Sequence, residues 1–505
     1  MQFRILGFVL IYVVLFADTL SPIGSDDIPE PLEDVAWGID ARKRPPQSPL
    51  HIAVVGAGLA GMTAAFEMHE RFQAALTSPP SITIFEESAA IGGQVLSAAV
   101  DGNAHHIVEL GSPTFWEDDT CILDLVNNVG LTRDLRDLSP KTITIWDGTR
   151  LFDADDGRRD WTIWHAWTSW SLSKSYKKLR ALAKEFRAHR PSFDITIYDN
   201  LGSDGFYLPD VLPEAAFESP YEYFSGQNGI HRQVLEWFVR PSVRKVFGVD
   251  LNETSALSVR AILTGAKRMA IRRGNSRLLD RMLLLSKVST RLNTSVASIE
   301  RGRRRYWRLQ SSNTAEDNEF DVVVLTAPVK GATLDMRPRA ERAVSYRHVT
   351  VLTSTHPLSL SDVGPERLTH GPHIILTAPQ PVRTPDILSI SYTVRDRVPH
   401  CTEDLMDPEY IYRIDSRQYF SDEDIAQLLQ GNASIGSIAR KRWRQTPTKL
   451  PNKTFNGMQE VGDDLYLLDP SERVVDTMDM ACQLGKAVAR QVFYEKSMSS
   501  MEIIP

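Results

Sequence analysis

The stretch from His51 to Glu86 leaves this chain little freedom. Ile52-Ala53-Val54-Val55 is an uninterrupted apolar run and predicts a short buried strand. Gly56-Ala57-Gly58-Leu59-Ala60-Gly61 follows at once, a G-x-G-x-x-G pattern. Met62 to Phe72 predicts a helix with Ala64, Ala65 and Met68 on one face, and Ile82-Thr83-Ile84-Phe85 a second strand that ends on Glu86. Strand, glycine turn, helix and strand in this order form a dinucleotide-binding unit. Gly56 permits the tight turn, Gly58 lets a pyrophosphate approach the backbone, and Gly61 lets the helix pack closely on the strand. The positive end of the helix then faces the phosphates, and the Glu86 carboxylate is placed to bond the ribose hydroxyls.

The residues that follow select the dinucleotide. Ile91-Gly92-Gly93 comes soon after Glu86, as in the extended fingerprint of FAD-binding oxidases and desaturases, which the plain NAD fingerprint lacks. Glu109-Leu110-Gly111-Ser112 supplies an acid-glycine segment of the kind such flavoproteins carry further on. Together they favour FAD.

The chain has 505 residues and a net charge of -7, a size that suits one large two-lobed enzyme and a charge that argues against a nucleic-acid partner. Met1 to Arg4, the apolar Ile5 to Ala17 and the polar residues from Asp18 have the layout of a secretory signal peptide, with a core too short for a comfortable membrane span. The sequons at Asn252, Asn293, Asn432 and Asn452 agree with a secretory route, ending in a vacuole, a lysosome or outside the cell. Cys121, Cys401 and Cys482 are widely scattered; they show neither metal spacing nor a disulfide framework, and one must stay unpaired within the chain.

Residues 18–50, rich in proline and acid, read as a linker. The pattern then divides the chain into an FAD-binding part over 51–135, a substrate part over 136–273, FAD-binding residues again over 274–340, substrate residues over 341–440, and a last FAD-binding part with a C-terminal helix over 441–505. The fold class is α/β: a Rossmann-like nucleotide domain interleaved with a mixed α+β substrate domain. Strands are predicted at Thr142–Trp146, Ser295–Glu300, Asp321–Pro328 and Leu465–Leu468, and a helix from Met478 to Phe493. Trp161, Trp164, Trp167 and Trp170 recur at every third residue before Lys174, Lys177, Lys178, Arg180 and Lys184. That stripe suits a helix in the core of the second lobe, and also one that walls a lipid channel or touches a membrane surface. Tyr221 to Ala266 reads as helical with an interruption at Pro241; Arg240 and Arg244, one turn apart, suit either a structural ion pair or the capture of a carboxylate. No Ser-His-Asp constellation and no metal cluster stands out, and His165 and His231 read as structural.

From His51 onward the chain resembles the prenylcysteine oxidase family, also called prenylcysteine lyases. The resemblance rests on Ile52 to Gly61, Phe85-Glu86 with Gly92-Gly93, the Arg240-Pro241-Ser242-Val243-Arg244-Lys245-Val246-Phe247-Gly248 segment, Gly274-Asn275, Ser295 to Glu300, Asp321 to Pro328, and Glu472 with Met478-Asp479-Met480. It departs at Gln94, where many relatives have arginine, at Leu110-Gly111-Ser112, where they have a double glycine, and at Asp469-Pro470-Ser471, where they have an asparagine-glycine pair. The resemblance implies FAD held by Gly56, Gly58, Gly61, Glu86, Gly92, Gly93, Gln94, Val296, Glu472 and Met478. It implies oxidation by O2 of farnesyl- or geranylgeranyl-cysteine at the carbon next to sulfur, giving a prenyl aldehyde, cysteine and hydrogen peroxide. Such a substrate asks for an aromatic channel, with Trp161, Trp164, Trp167, Trp237 and Phe238 as candidates, and for a cation at its carboxylate, with Arg244 and then Arg240 as candidates. Two other readings stand beside this one: an FAD oxidase or oxidative cyclase of a prenylated small molecule, and a catalytically silent lipid-binding flavoprotein fold.

Overall fold

The computed structural model describes residues 49–75, 79–100, 103–146, 151–153, 172–188, 217–263, 266–302, 306–312, 314–327, 345–358, 360, 373–377, 385–395, 409–429, 435–445, 458–468 and 477–501. The N-terminal segment, the tryptophans from Trp161 to Trp170, Glu472, Cys401 and the sequon residues Asn432 and Asn452 lie outside them.

Three separated stretches of chain build one six-stranded sheet. Its order is Ser289–Arg291, Ser81–Phe85, His51–Val55, Val322–Leu325, Leu465–Leu468 and Met458–Gly462, parallel except for the last strand. Val55 lies beside Phe85 on one side and Leu325 on the other, so the sheet's central strand ends at the glycine turn. Both faces of the sheet are covered, which is why these strands read as unbroken apolar runs. Ile52 and Val54 pack with the helix Leu59–Ala74, the helix Arg277–Ser286 and the C-terminal helix Met478–Met501. Ala53 and Val55 pack instead with Val296, Ile299, Trp307 and Leu309 of a three-stranded antiparallel sheet.

A second, seven-stranded sheet runs in the order Ile435–Gln445, Ser345–Ser354, Glu409–Ser416, Ile387–Arg395, His373–Thr377, Thr142–Trp146 and Leu151–Asp153. Glu409–Ser416 shows its logic. Tyr412 and Ile414 face a core with Leu352, Ile390 and Phe420. Arg413 and Asp415, at alternate positions, share the opposite face with their partners Val351 and Val349, which pack on Leu110 and Leu96. The charged face of this sheet therefore looks towards the hairpin that carries the acid-glycine segment.

Two expectations change. Cys121 and Cys482, 361 residues apart in sequence, form a disulfide that ties the helix Thr120–Asn128 to the C-terminal helix; a pairing across the whole chain has no spacing signature. Pro241 does not interrupt its segment. It sits where a π-helical turn, Leu235–Val239, passes into the helix Arg240–Phe247, and that helix ends at Gly248 with φ 69°. Residues 172–188 are helical, with Leu179, Ala183 and Phe186 buried and Lys177, Lys178, Arg180 and Lys184 exposed.

Candidate FAD and substrate site

The glycine turn is built by three different constraints. Gly56 has φ +106°, and a Cβ there would lie 2.6 Å from Thr326 Oγ1, which itself donates to the Val55 and Gly56 carbonyls. At Gly61 a Cβ would lie 2.1 Å from the Gly56 carbonyl oxygen. The fold alone therefore requires both glycines. Gly58 differs: a Cβ there would meet nothing closer than Gly93 Cα at 3.9 Å. Its bareness suits a group from outside the chain, as does its place as the N-cap of Leu59–Ala74. No side chain caps that helix, and its first turn holds no acid to compete with a phosphate.

Gly92 and Gly93 close the other side of the cradle. Their φ values of +136° and +54° turn the chain so that the Gly92 N–H donates to the Ala57 carbonyl at 2.9 Å. Glu86, 8 % exposed, accepts the Ala57 N–H on Oε2 at 2.8 Å and the Ser88 N–H on Oε1 at 2.9 Å. Its carboxylate is thus fixed at the tip of the second strand with lone pairs left for a ribose. Val296 is buried under Val55 and Phe85. These residues fit a dinucleotide.

From Gly93 the chain continues into a close pairing. The Ser112 N–H donates to the Gln94 carbonyl at 2.7 Å, and a Cβ on Gly111 would lie 2.0 Å from that carbonyl oxygen. One glycine is enough for this approach, so the serine at 112 is accommodated. Gln94 itself is exposed, with its Nε2 at 3.4 Å from the Arg444 carbonyl. Glu109 accepts from Ser97 Oγ at 2.8 Å and from the Asn275 N–H at 2.7 Å. Burial raises its carboxyl above the ordinary range, against the pull of these donors and of Arg413. Buried Asn275 also joins the Ser112 and Pro113 carbonyls to the Ile271 N–H. The Gly274-Asn275 pair is therefore a clasp on the acid-glycine segment.

The C-terminal motif serves packing. The Asp479 carboxylate accepts the Ile122 N–H, so it caps the helix Thr120–Asn128 from another part of the chain. Met478 is buried at the start of the C-terminal helix. Gly485 brings that helix onto Leu59–Ala74, since a Cβ there would lie 2.5 Å from the Ala60 carbonyl oxygen.

The two substrate-head candidates are engaged within the chain. Arg240 pairs with Asp250 and Glu236, and these carboxylates, Asp250 first, keep it firmly charged against the effect of burial. Buried Arg244 pairs with Asp386. Their carboxylates come from this chain, which is the ion-pair reading of that segment. Trp237 and Phe238 are half-buried against Ile143, Ile145, Ile374 and Leu376.

The residues that sequence reasoning missed lie between the second sheet and the cofactor hairpin. Asp415 accepts from Arg347 and Arg413, and these two cations hold its carboxyl well below the usual carboxylate range despite complete burial. Arg413 also donates to the carbonyls of Glu109 and Gly111, at 2.7 and 2.8 Å. Arg347 donates to those of Lys245 and Val246. The signal was available: in Glu409–Ser416, charge at alternate positions on an otherwise apolar strand marks a buried polar face. Among the described residues no cluster of ligands could hold a metal ion, and no helix is long and apolar enough to cross a membrane.

The prenylcysteine lyase family model matches residues 215–503, more than half of the chain. The chain belongs to the prenylcysteine lyase family. A second model, for flavin-containing amine oxidoreductases, matches residues 59–356 and includes the glycine turn. No curated protein matches the chain. Among solved structures, a putative protoporphyrinogen oxidase from Exiguobacterium sp. 255-15 is similar with a TM-score of 0.60 and 14% identity, over 89% of this chain and 99% of that one. Cyclohexylamine oxidase from Brevibacterium oxydans IH-35A gives 0.59 and 14%, over 89% and 100%. A fatty acid isomerase from P. acnes that produces CLA gives 0.58 and 14%, over 87% and 98%. At these identities the likeness speaks for the fold, a mixed α/β fold of the FAD-dependent amine oxidase type. This member of the prenylcysteine lyase family is an FAD-dependent oxidoreductase.

Proposed function

We propose that this enzyme cleaves the thioether of prenylcysteines. The observation that carries the reading is the family match over residues 215–503, which takes in the helical segment with Trp237, Phe238 and Arg240–Phe247 as well as five of the seven strands of the second sheet. Bound FAD supplies an acceptor for a hydride. The carbon next to sulfur is the donor, because sulfur and the allylic double bond both stabilise the resulting cation. Water adds to that carbon, the C–S bond breaks, and the products are a prenyl aldehyde and cysteine. O2 takes the two electrons and leaves as hydrogen peroxide.

The protein's part is orientation. Trp237 and Phe238 offer an apolar wall for the prenyl tail. The charged face of the second sheet lies on the side of the cofactor hairpin, where a polar head belongs. The Cys121–Cys482 disulfide supports a secretory location, since such bonds persist in oxidising compartments. Asn252 and Asn293 are exposed, as glycan acceptors need to be.

The test is an oxygen-electrode assay of purified, FAD-loaded protein. Peroxide and prenyl aldehyde released from farnesylcysteine are the expected result. Peroxide released only with a prenylated phenol would move the reading to a biosynthetic oxidase.

A further inference from the structure

One side chain in the interior is conspicuously short of partners. Lys245 lies on the helix Arg240–Phe247 with 7 % of its surface exposed, and its side chain makes no hydrogen bond or ion pair among the described residues. The helix packs on the strands His373–Thr377 and Ile387–Arg395 and follows directly on Trp237 and Phe238. The side chain of half-buried Arg268, on the strand Arg268–Ile271, likewise has no hydrogen-bond or ion-pair partner among the described residues.

The carboxylate that would neutralise them is spent. Asp415 acts on Lys245, but its oxygens already accept from Arg347, Arg413 and Ser389. Lys245 thus lies near Arg268, Arg347 and Arg413 with one aspartate among them, and Glu109, raised by burial, lies near Arg413. Leaving a buried cation without a counter-charge is strongly unfavourable, so a positive excess of this kind calls for an anion from outside the chain. Burial, together with the neighbouring guanidinium groups, drives the Lys245 ammonium well below its ordinary range, Arg268 being the charge that acts on it most. An arriving carboxylate would reverse that.

We propose that Lys245 and Arg268 together form the site that receives the carboxylate of the substrate, with Trp237 and Phe238 leading the apolar tail away from it. This rests on the prenylcysteine reading for the identity of the substrate, while the anion site itself does not. Arg413 places it on the cofactor's side, because the same guanidinium binds the Glu109 and Gly111 carbonyls and reaches Asp415 beside Lys245.

The experiment compares farnesylcysteine with its methyl ester on FAD-loaded wild type, Lys245→Met and Arg268→Gln. Wild type is expected to prefer the acid at least ten-fold in kcat/KM, a difference of about 1.4 kcal/mol, and the preference should fall towards unity in both variants. A wild type that treats acid and ester alike, or a preference that both variants keep, overturns the proposal. So does an equal loss on acid and ester, which would set the pair against the flavin. If neither compound is oxidised, the prenylcysteine reading has failed and the site is tested by itself. Decanoate should then bind the wild-type holoenzyme at least ten-fold tighter than decanol by calorimetry, and lose that advantage in Lys245→Met. Equal binding of the two in wild type overturns the anion site.

Discussion

Gly58 and Gly93 face each other across the cofactor cradle. A Cβ on Gly93 would lie 3.0 Å from Gly58 Cα, while one on Gly58 would stand 3.9 Å from Gly93 Cα, in ordinary contact. The two positions are therefore unequal. Gly58→Val should give folded protein that binds little FAD, because the added methyls fill space that the protein itself leaves open. Gly61→Val should fail to fold, because its Cβ collides with the Gly56 carbonyl. Circular dichroism and flavin absorbance on both variants check this; a yellow Gly58→Val protein would refute the placement of the pyrophosphate.

Glu109 gives a pH prediction. Burial raises its carboxyl above the ordinary carboxylate range, so the folded state holds the proton more tightly than the unfolded one. Stability contributed by this proton is present below the unfolded pKa and declines as pH rises from there through the folded pKa. Glu109→Gln, which keeps an acceptor for the Asn275 N–H and cannot ionise, removes the decline. Urea melts at saturating FAD should show wild type losing stability relative to Glu109→Gln between about pH 4.5 and neutrality. A constant difference across that range would count against a raised Glu109.

The Cys121–Cys482 bond, with a sequence separation of 361, closes more than half of the chain into one loop. Cys482→Ala should lower stability by about 2–5 kcal/mol through the less restricted unfolded state. The check is thermal melting with and without reductant: wild type should be sensitive to reductant and the variant insensitive. Mass spectrometry of wild type that finds both thiols free would contradict the pairing.

Asp479 replaces a cap that the local sequence does not provide. Asp119, the N-cap of Thr120–Asn128, gives its Oδ2 to the Trp116 N–H, and the Ile122 N–H is served by Asp479 instead. Asp479→Ala should cost about 1–2 kcal/mol, the usual worth of a lost helix cap. Asp479→Asn, which retains an acceptor, should cost less. Equal melting temperatures for wild type and Asp479→Ala would refute this role.

Much of the nucleotide cradle could be read from the sequence because its determinants are local. Gly61 answers to the Gly56 carbonyl and Gly92 to that of Val95, atoms only a few residues away, and period and spacing expose such units. The strands at Thr142–Trp146 and Leu465–Leu468 were legible for the same reason, as short apolar or β-branched runs between turn residues. Lys245, Arg268, Arg413 and Asp415 were not, because they come together only after three distant segments have packed. Arg240 and Arg244 left both readings open: their spacing announces a cationic face and says nothing of Asp250 and Asp386, which fold onto it.

The strand order of the nucleotide sheet has a consequence for how the protein is made. His51–Val55 emerges from the ribosome early, yet Leu465–Leu468, the helix Met478–Met501 and the partner of Cys121 are among the last residues translated. Until then the Val322–Leu325 edge and the apolar side of Leu59–Ala74 stand uncovered, a state prone to aggregation in long-range β folds. A premature stop anywhere upstream of Met458 would thus remove no dispensable tail; it would deprive the first domain begun of the strands that complete it.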